Sequence, residues 1–226
     1  MSCVYISLLS ILLFSSCSDN NKDADNTTKQ KTLMEYVMAS DIQGVRNSVE
    51  NGIDVDTTND IGETPLLKAT QMNQITIAEI LLKAGADINK QDNIYDSPFL
   101  YASAEGRTEI LRMMLNYNPN VKIYNRYGGN GLIPAAEKGH LENVTLLLEK
   151  TDMDVNHINN LGWTALLEAI ILTDGGKVYQ DIIKVLIAHG ANVNLPDKEG
   201  ITPLAHARKK RYTEIERILL AAGAHE

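Results

Sequence analysis

Short groups of apolar residues recur along most of the chain at a spacing that places them on one face of a helix. Residues 77–82 contain four isoleucines and leucines in such a group, and residues 110–115 contain an equivalent group 33 positions later. Side chains three and four positions apart lie on the same face of an α-helix. Turn sequences such as Gly-Ala-Asp-Ile-Asn at 85–89 follow these groups closely. The pattern predicts a series of short amphipathic helices separated by tight turns.

A recurring phrase of glycine, threonine, proline and leucine opens each predicted pair of helices. It reads Gly-Glu-Thr-Pro-Leu-Leu-Lys-Ala at 62–69, Gly-Trp-Thr-Ala-Leu-Leu-Glu-Ala at 162–169 and Gly-Ile-Thr-Pro-Leu-Ala-His-Ala at 200–207. Degenerate copies lie at 97–102 and 130–136. Glycine permits a turn, threonine caps a helix, and proline is tolerated in the first helical turn. The threonine-equivalent positions are 64, 97, 130, 164 and 202, so the steps are 33, 33, 34 and 38 residues.

This phrase resembles G-x-T-P-L-H-x-A-A, the opening of ankyrin repeats, and a period near 33 is typical of that family. The resemblance covers residues 33–226, and it is closest to small bacterial members that carry the blocks N-R-Y-G-G, I-P-A-A-E-K-G-H, H-I-N-N-L-G-W-T-A-L-L-E-A and T-P-L-A-H-A. It implies an all-α solenoid of about six helix-turn-helix repeats with short β-like finger loops, and no established enzymatic activity. The repeats are expected at about 33–58, 59–91, 92–124, 125–158, 159–196 and 197–226.

Two of the expected repeats depart from the regular pattern. Three glycines lie within 126–131, where the finger of the fourth repeat meets its first helix, and Pro134 follows early in that helix. The fifth repeat carries an insertion of about five residues around 173–177. Insertions of this kind map to loops on one side of a solenoid.

The N-terminus carries a targeting pattern. Residues 4–14 are an apolar run that is too short to span a bilayer but has the length of a signal-peptide core. The end of this run and the three residues after it, Leu-Phe-Ser-Ser-Cys at 13–17, resemble a bacterial lipobox. This resemblance implies cleavage before Cys17 and acylation of that cysteine. We therefore expect a signal peptide over 1–16 and a lipid-anchored flexible tether over 17–32.

This prediction places the protein at the bacterial cell envelope, as a membrane-anchored lipoprotein on the periplasmic side or the surface. The first residues, Met-Ser-Cys, carry no lysine or arginine, so an ordinary secretory signal stays open as an alternative. The apolar run is also compatible with a remnant of a tail anchor, or with an uncleaved N-terminus on a cytosolic scaffold.

Composition excludes several kinds of site. The net charge of −8 and the pI of about 5.2 argue against a general nucleic-acid binder. The two cysteines, Cys3 and Cys17, leave none for a disulfide or a metal site in the repeats. Gly-Gly-Lys at 175–177 is followed by Val178, so it is not a phosphate loop. None of the five histidines lies in a metalloprotease motif. We expect no enzyme activity, no metal, no cofactor and no nucleic acid.

Partners of ankyrin repeats meet the concave face, so the resemblance implies binding through the fingers and the exposed side of the first helices. The residue before the finger glycine, or before Tyr95 in the third repeat, is apolar in four successive repeats. These residues are Ile61, Ile94, Tyr127 and Leu161. Exposed apolar residues in a row indicate a contact surface, although each could instead pack on the neighbouring finger.

The sharpest candidate for partner binding is the junction of the fourth and fifth repeats. In a regular stack, seven polar and aromatic residues converge there: Arg126, Tyr127, Glu137, His157, Asn160, Trp163 and Glu168. Tryptophan, tyrosine and arginine are the residues most enriched in binding hot spots, and the only tryptophan is expected at a finger tip. These features predict a non-catalytic scaffold that binds another protein, such as an effector or enzyme that it restrains.

Two further interpretations of this junction stay open. The polar residues could bridge adjacent fingers by hydrogen bonds. Alternatively, Glu137, Glu168 and His157 could form a small-ligand or enzymatic site, which a compact pocket or a shifted carboxyl pKa would favour.

Overall fold

The computed structural model describes residues 31–225, which form twelve α-helices in six consecutive pairs. No strand occurs within these residues, and none of their helices is long and apolar enough to cross a membrane. The signal peptide, Cys17 and nearly all of the predicted tether lie outside the described residues. The helices are α1 Leu33–Met38, α2 Ile42–Glu50, α3 Pro65–Gln71, α4 Ile75–Lys83, α5 Pro98–Ala104, α6 Thr108–Met114, α7 Leu132–Glu137, α8 Leu141–Lys150, α9 Ala165–Ile171, α10 Lys177–Ala188, α11 Pro203–Lys209 and α12 Thr213–Ala221.

The first helix of each pair begins where a polar side chain caps it. Thr64 and Thr164 each accept the backbone N–H of the residue three positions later. Thr32, which we placed in the tether, caps α1 in the same way. In the fourth pair Asn130 takes over this role and accepts two N–H groups of the first turn of α7. Pro134 is the third residue of α7, so it removes no intrahelical bond, because N–H groups in the first turn have no helical partner.

The fingers that join successive pairs are hairpin-like loops, each closed by one asparagine or aspartate. The side-chain oxygen of Asn159 accepts the N–H groups of Leu161 and Trp163, both at 3.0 Å. The N–H of Asn159 donates to the Trp163 carbonyl at 3.0 Å. Equivalent side-chain bonds recur at positions 59, 92, 125 and 197. The finger geometry therefore follows from one side chain and repeats with the sequence period.

Each helix pair packs chiefly on the pair before it and the pair after it. The odd-numbered helices form one layer and the even-numbered helices form the other. Small, fully buried residues such as Ala69, Ala102 and Ala169 lie on the first helices and allow the layers to approach closely. In α8, the Nδ2 of Asn143 donates to the carbonyls of Ala102 and Ser103 in α5, at 3.0 and 3.1 Å. One continuous apolar core results, which confirms the predicted all-α solenoid.

The fifth pair contains the predicted insertion, and the structure divides it between a loop and a helix. The loop between α9 and α10 covers residues 172–176, whereas the other pairs have three-residue loops such as 72–74. The helix α10 has 12 residues, against 9 in α4. The Tyr212 hydroxyl of the sixth pair donates to the Thr173 carbonyl, so the longer loop is held against the next pair.

Candidate functional site

The first helices and the fingers together form one side of the stack, which we call the finger face. A pocket of about 330 Å³ lies on it, between α5, α7 and α9 and the fingers that precede α7 and α9. Its lining residues are Asp96, Tyr101, Ala104, Glu105, Asn125, Arg126, Tyr127, Gly129, Ile133, Pro134, Glu137, Lys138, Asn159, Leu161, Glu168 and Leu172.

The pocket exists because two periodic positions carry little side chain in the fourth pair. The residue before the cap is Glu63, Asp96, Gly129, Trp163 and Ile201 in successive pairs. The residue four positions after the cap is Lys68, Tyr101, Pro134, Glu168 and His206. Gly129 and Pro134 are thus the compact members of each series. The missing side-chain volume leaves a notch between Tyr101 of α5 and Glu168 of α9.

Glu168 forms one wall of this notch and is a buried carboxyl with little compensation. The residue is 5% exposed, and its Oε1 accepts a hydrogen bond from the Nδ2 of Asn159 at 2.7 Å. Its Oε2 accepts no hydrogen bond from any residue within 31–225. Burial raises the pKa of Glu168 to about 7, and the negative charge of Glu137 adds to the shift. The pocket therefore holds a carboxyl that takes up a proton at a much higher pH than an exposed glutamate does.

The other charged groups of the pocket are partly balanced. Burial and the nearby charge of Asp92 raise the pKa of Asp96, and Arg126 opposes that shift. Glu105 and Lys138 form an ion pair at the rim. The Arg126 guanidinium lies 5.1 Å from the ring centroid of Tyr127. The pocket thus contains more carboxyl groups than cations.

Half of the predicted binding residues meet in this pocket. Its lining includes Arg126, Tyr127, Glu137, Leu161 and Glu168. It also includes residues that the sequence interpretation did not single out, above all a tyrosine of α5 and the asparagine that closes the fifth finger. Aligning the repeats on their capping residues could have indicated the notch, because glycine and proline then stand opposite much larger side chains.

His157 and Asn160 lie outside the pocket lining and connect adjacent fingers. The His157 ring stacks on Tyr124, with centroids 4.4 Å apart and planes 5° apart. The Nε2 of His157 lies 2.6 Å from the Gly128 carbonyl oxygen. The N–H of Asn160 donates to the Tyr127 carbonyl at 2.8 Å. For these two residues the structure matches the interpretation of bridging hydrogen bonds, and the expected trio of Glu137, Glu168 and His157 does not form.

Trp163 does not lie at a finger tip, so that expectation is wrong. The turn closed by Asn159 places residues 160 and 161 at the tip. Trp163 follows Gly162 on the returning side of the loop and is partly buried. It does not line the pocket.

The apolar row at the finger tips is exposed in the structure, where the sequence left both exposure and packing on the neighbouring finger open. Ile61, Ile94, Tyr127 and Leu161 are each 49–57% exposed, so none is covered by the neighbouring finger. Ile61 and Ile94 stand apart from the pocket, whereas Tyr127 and Leu161 form part of its lining. The row and the pocket are therefore parts of one surface.

The acidic and basic groups of the pocket lining are four carboxyls, one guanidinium and one ammonium. The structure shows no nucleophile paired with a base there, and within residues 31–225 no group of three or more His, Cys, Asp or Glu side chains could hold a metal ion. The predicted lipidation residue, Cys17, lies outside the described residues.

Comparisons with known proteins agree with this architecture. A family model described as "Ankyrin repeats (3 copies)" matches residues 1–92, 99–197 and 152–226. The chain is 42% identical over 193 residues to the ankyrin repeat protein YahD of Escherichia coli (strain K12). This alignment covers 84% of this chain and 96% of the relative. The crystal structure of an ankyrin repeat domain from Acinetobacter baumannii AYE is similar with a TM-score of 0.83 and 51% identity, over 85% of this chain and 98% of that chain. The ankyrin repeat protein EF0377 gives a TM-score of 0.81 and 46% identity, over 84% and 96%.

Proposed function

Because this chain belongs to the ankyrin-repeat family, whose domains are generally non-catalytic modules for protein–protein interaction, we propose that it is a scaffold that binds a partner protein through the finger face. The observation that carries this proposal is the row of four half-exposed apolar side chains at successive finger tips. Contiguous exposed apolar surface on a folded protein is typical of an interaction site.

Backbone hydrogen bonds between neighbouring fingers order part of the row. The N–H of Asn93 donates to the Ile61 carbonyl at 3.1 Å, and the N–H of Asn160 donates to the Tyr127 carbonyl at 2.8 Å. These bonds connect the second finger to the third and the fourth finger to the fifth, and they fix the spacing of the apolar side chains within these two pairs of fingers. A surface that is already ordered loses less conformational entropy when a partner binds, which favours affinity.

Loss of partner binding in a double variant tests this proposal. Tyr127→Ala with Leu161→Ala removes two exposed apolar side chains and should lower partner recovery from the envelope fraction at least about tenfold. Tyr117→Ala is the matched control, because Tyr117 is 41% exposed but follows a second helix instead of lying on a finger. Equal recovery with the double variant and with the control would count against the finger face.

We also propose that Cys17 anchors this scaffold at the bacterial envelope through acyl chains. The support is the Leu-Phe-Ser-Ser-Cys sequence at 13–17 after an apolar run. Mass spectrometry of the mature N-terminus should show an acylated Cys17, and Cys17→Ser should move the protein out of the membrane fraction. An unmodified N-terminus that begins at Met1 contradicts this proposal and favours a cytosolic scaffold.

A small-ligand site in the pocket is the second candidate function. The notch beside Pro134 and the raised pKa of Glu168 are the two features that favour it. Both features also serve a scaffold whose partner inserts a side chain into the pocket.

A further inference from the structure

We propose that the pocket between α5, α7 and α9 receives one basic side chain, a lysine or an arginine, from the protein bound on the finger face. This inference rests on the proposed scaffold function and specifies the chemistry of its partner.

The first argument is a comparison of three ionisable residues at the same periodic position. In the second pair, the Nζ of Lys68 donates to Glu63 at 2.9 Å and to Gln71 at 2.7 Å. In the sixth pair, the Nε2 of His206 lies 2.6 Å from the Oδ2 of Asp197. Lys68 and His206 therefore each lie beside a carboxylate of the same repeat.

Glu168, at the same position in the fifth pair, has no such opposite charge within residues 31–225. Its neutral partner Asn159 satisfies Oε1 only. A buried carboxylate is stable only when it is paired or fully hydrogen-bonded, or when it takes up a proton. Because Glu168 lines the pocket, a cation that enters the pocket would supply the missing partner.

The second argument is the charge balance of the whole pocket. The charged groups that line the pocket together with Glu168 are Asp96, Glu105, Arg126, Glu137 and Lys138, and Glu137 acts directly on Glu168. Lys138 neutralises Glu105, which leaves three carboxyls against one guanidinium. A pocket with this excess attracts a cation and repels an anion.

The third argument is shape. The notch left by Gly129 and Pro134 opens beside Tyr101, Ile133 and Leu172, which offer apolar and aromatic surface. A lysine or arginine carries its charge on an apolar stem that packs against such surface. Aromatic rings also attract ammonium and guanidinium groups.

A peptide titration of the ¹⁵N-labelled full chain tests the inference. The probes are acetylated, amidated pentapeptides Ala-Gly-X-Gly-Ala with X as lysine, arginine, norleucine or glutamate, followed by NMR at millimolar concentration. Saturable shifts of the Gly129 and Glu168 amides are expected with the lysine or arginine peptide. The norleucine peptide, which keeps the stem and lacks the charge, should bind at least about tenfold more weakly.

Two variants assign this binding to the pocket. Glu168→Gln should weaken the basic peptide about tenfold, because it removes the charge and keeps the shape. Gly129→Ile should abolish binding, because isoleucine is the residue of the sixth pair at this position and would fill the notch. Glu63→Gln is the matched control and should leave the peptide affinity unchanged.

The dependence on pH gives an independent readout. A bound cation favours the ionised form of Glu168, so the affinity of the basic peptide should rise between pH 6 and pH 8. The rise should disappear in Glu168→Gln.

The outcomes separate this inference from the proposed function. In one outcome the finger-tip double variant loses its partner, but the norleucine, glutamate and basic peptides bind equally or none of them binds. This outcome excludes the basic side chain and leaves the scaffold function standing. If the basic peptides bind at Glu168 while the double variant retains its partner, the finger tips are excluded and the pocket keeps its preference for cations.

Discussion

The second and fifth helix pairs begin with nearly the same phrase and fold alike, yet they treat a buried charge in opposite ways. Glu63 and Lys68 of the second pair form a partly buried ion pair on one repeat. In the fifth pair Trp163 stands in the place of Glu63 and Glu168 in the place of Lys68, so a carboxyl replaces the cation and no opposite charge stands beside it. The comparison shows that the repeat period fixes where these side chains lie. The residue types at the two variable positions decide whether a buried charge is paired within its repeat or left open to a ligand.

The largest expected difference between the two pairs lies in how the free energy of unfolding depends on pH. Glu168 has a raised pKa in the folded protein, so its favourable contribution is present below its unfolded pKa of about 4.5 and is lost as the pH rises through about 7. Between pH 5 and pH 8 the wild type should lose about 1–3 kcal/mol relative to Glu168→Gln, since one pKa unit corresponds to about 1.4 kcal/mol and the open pocket screens part of the effect. Urea denaturation at each pH measures this.

For Glu63, the contribution to stability should change with pH in the opposite direction. Burial alone would raise its pKa, but the hydrogen bonds from Lys68 and Asn59 outweigh burial and leave the pKa lowered. Its contribution is therefore present above the unfolded pKa and is lost as the pH falls through the folded pKa. The same denaturation series on Glu63→Gln should converge with wild type only in acid, and slopes of equal sign for the two variants would break the comparison.

Filling the notch should have the smaller effect on stability. The three atoms nearest to a Cβ at Gly129 all belong to the Asn125 side chain, the closest at 3.4 Å, so Gly129→Ile should change the free energy of unfolding by less than about 1 kcal/mol. The adjacent Gly128 has a φ of +71°, and a Cβ there would lie 2.5 Å from the Asn160 Oδ1. Gly128→Ile should therefore destabilise by at least about 1–2 kcal/mol, which thermal denaturation can compare directly. Equal losses would mean that the notch is not simply empty space.

The fold could be predicted from the sequence because each repeat encodes its own local geometry. Thr64 and Thr164 cap helices, and Gly162 adopts the left-handed backbone of the finger. These effects act within a few residues, so the sequence period carries them directly.

The pocket could be predicted only in part, because it depends on side chains that are small in one repeat and large in its neighbours. Arg126 and Glu168 were placed correctly at the junction, but the notch arises across three repeats. His157 lies at the junction but outside the pocket, because a polar residue on a finger can turn either to solvent or to the next finger. Stacking on Tyr124 decides between these orientations, and no local sequence signal reports that contact.

The packing of each helix pair chiefly on its two neighbours has a mechanical consequence. In a stack of repeats, small rotations between neighbouring pairs add up and set the curvature of the whole stack. The pocket spans three of the six pairs, and its width must change with that curvature. A side chain wedged between α5 and α9 would therefore stiffen the stack and set its curvature.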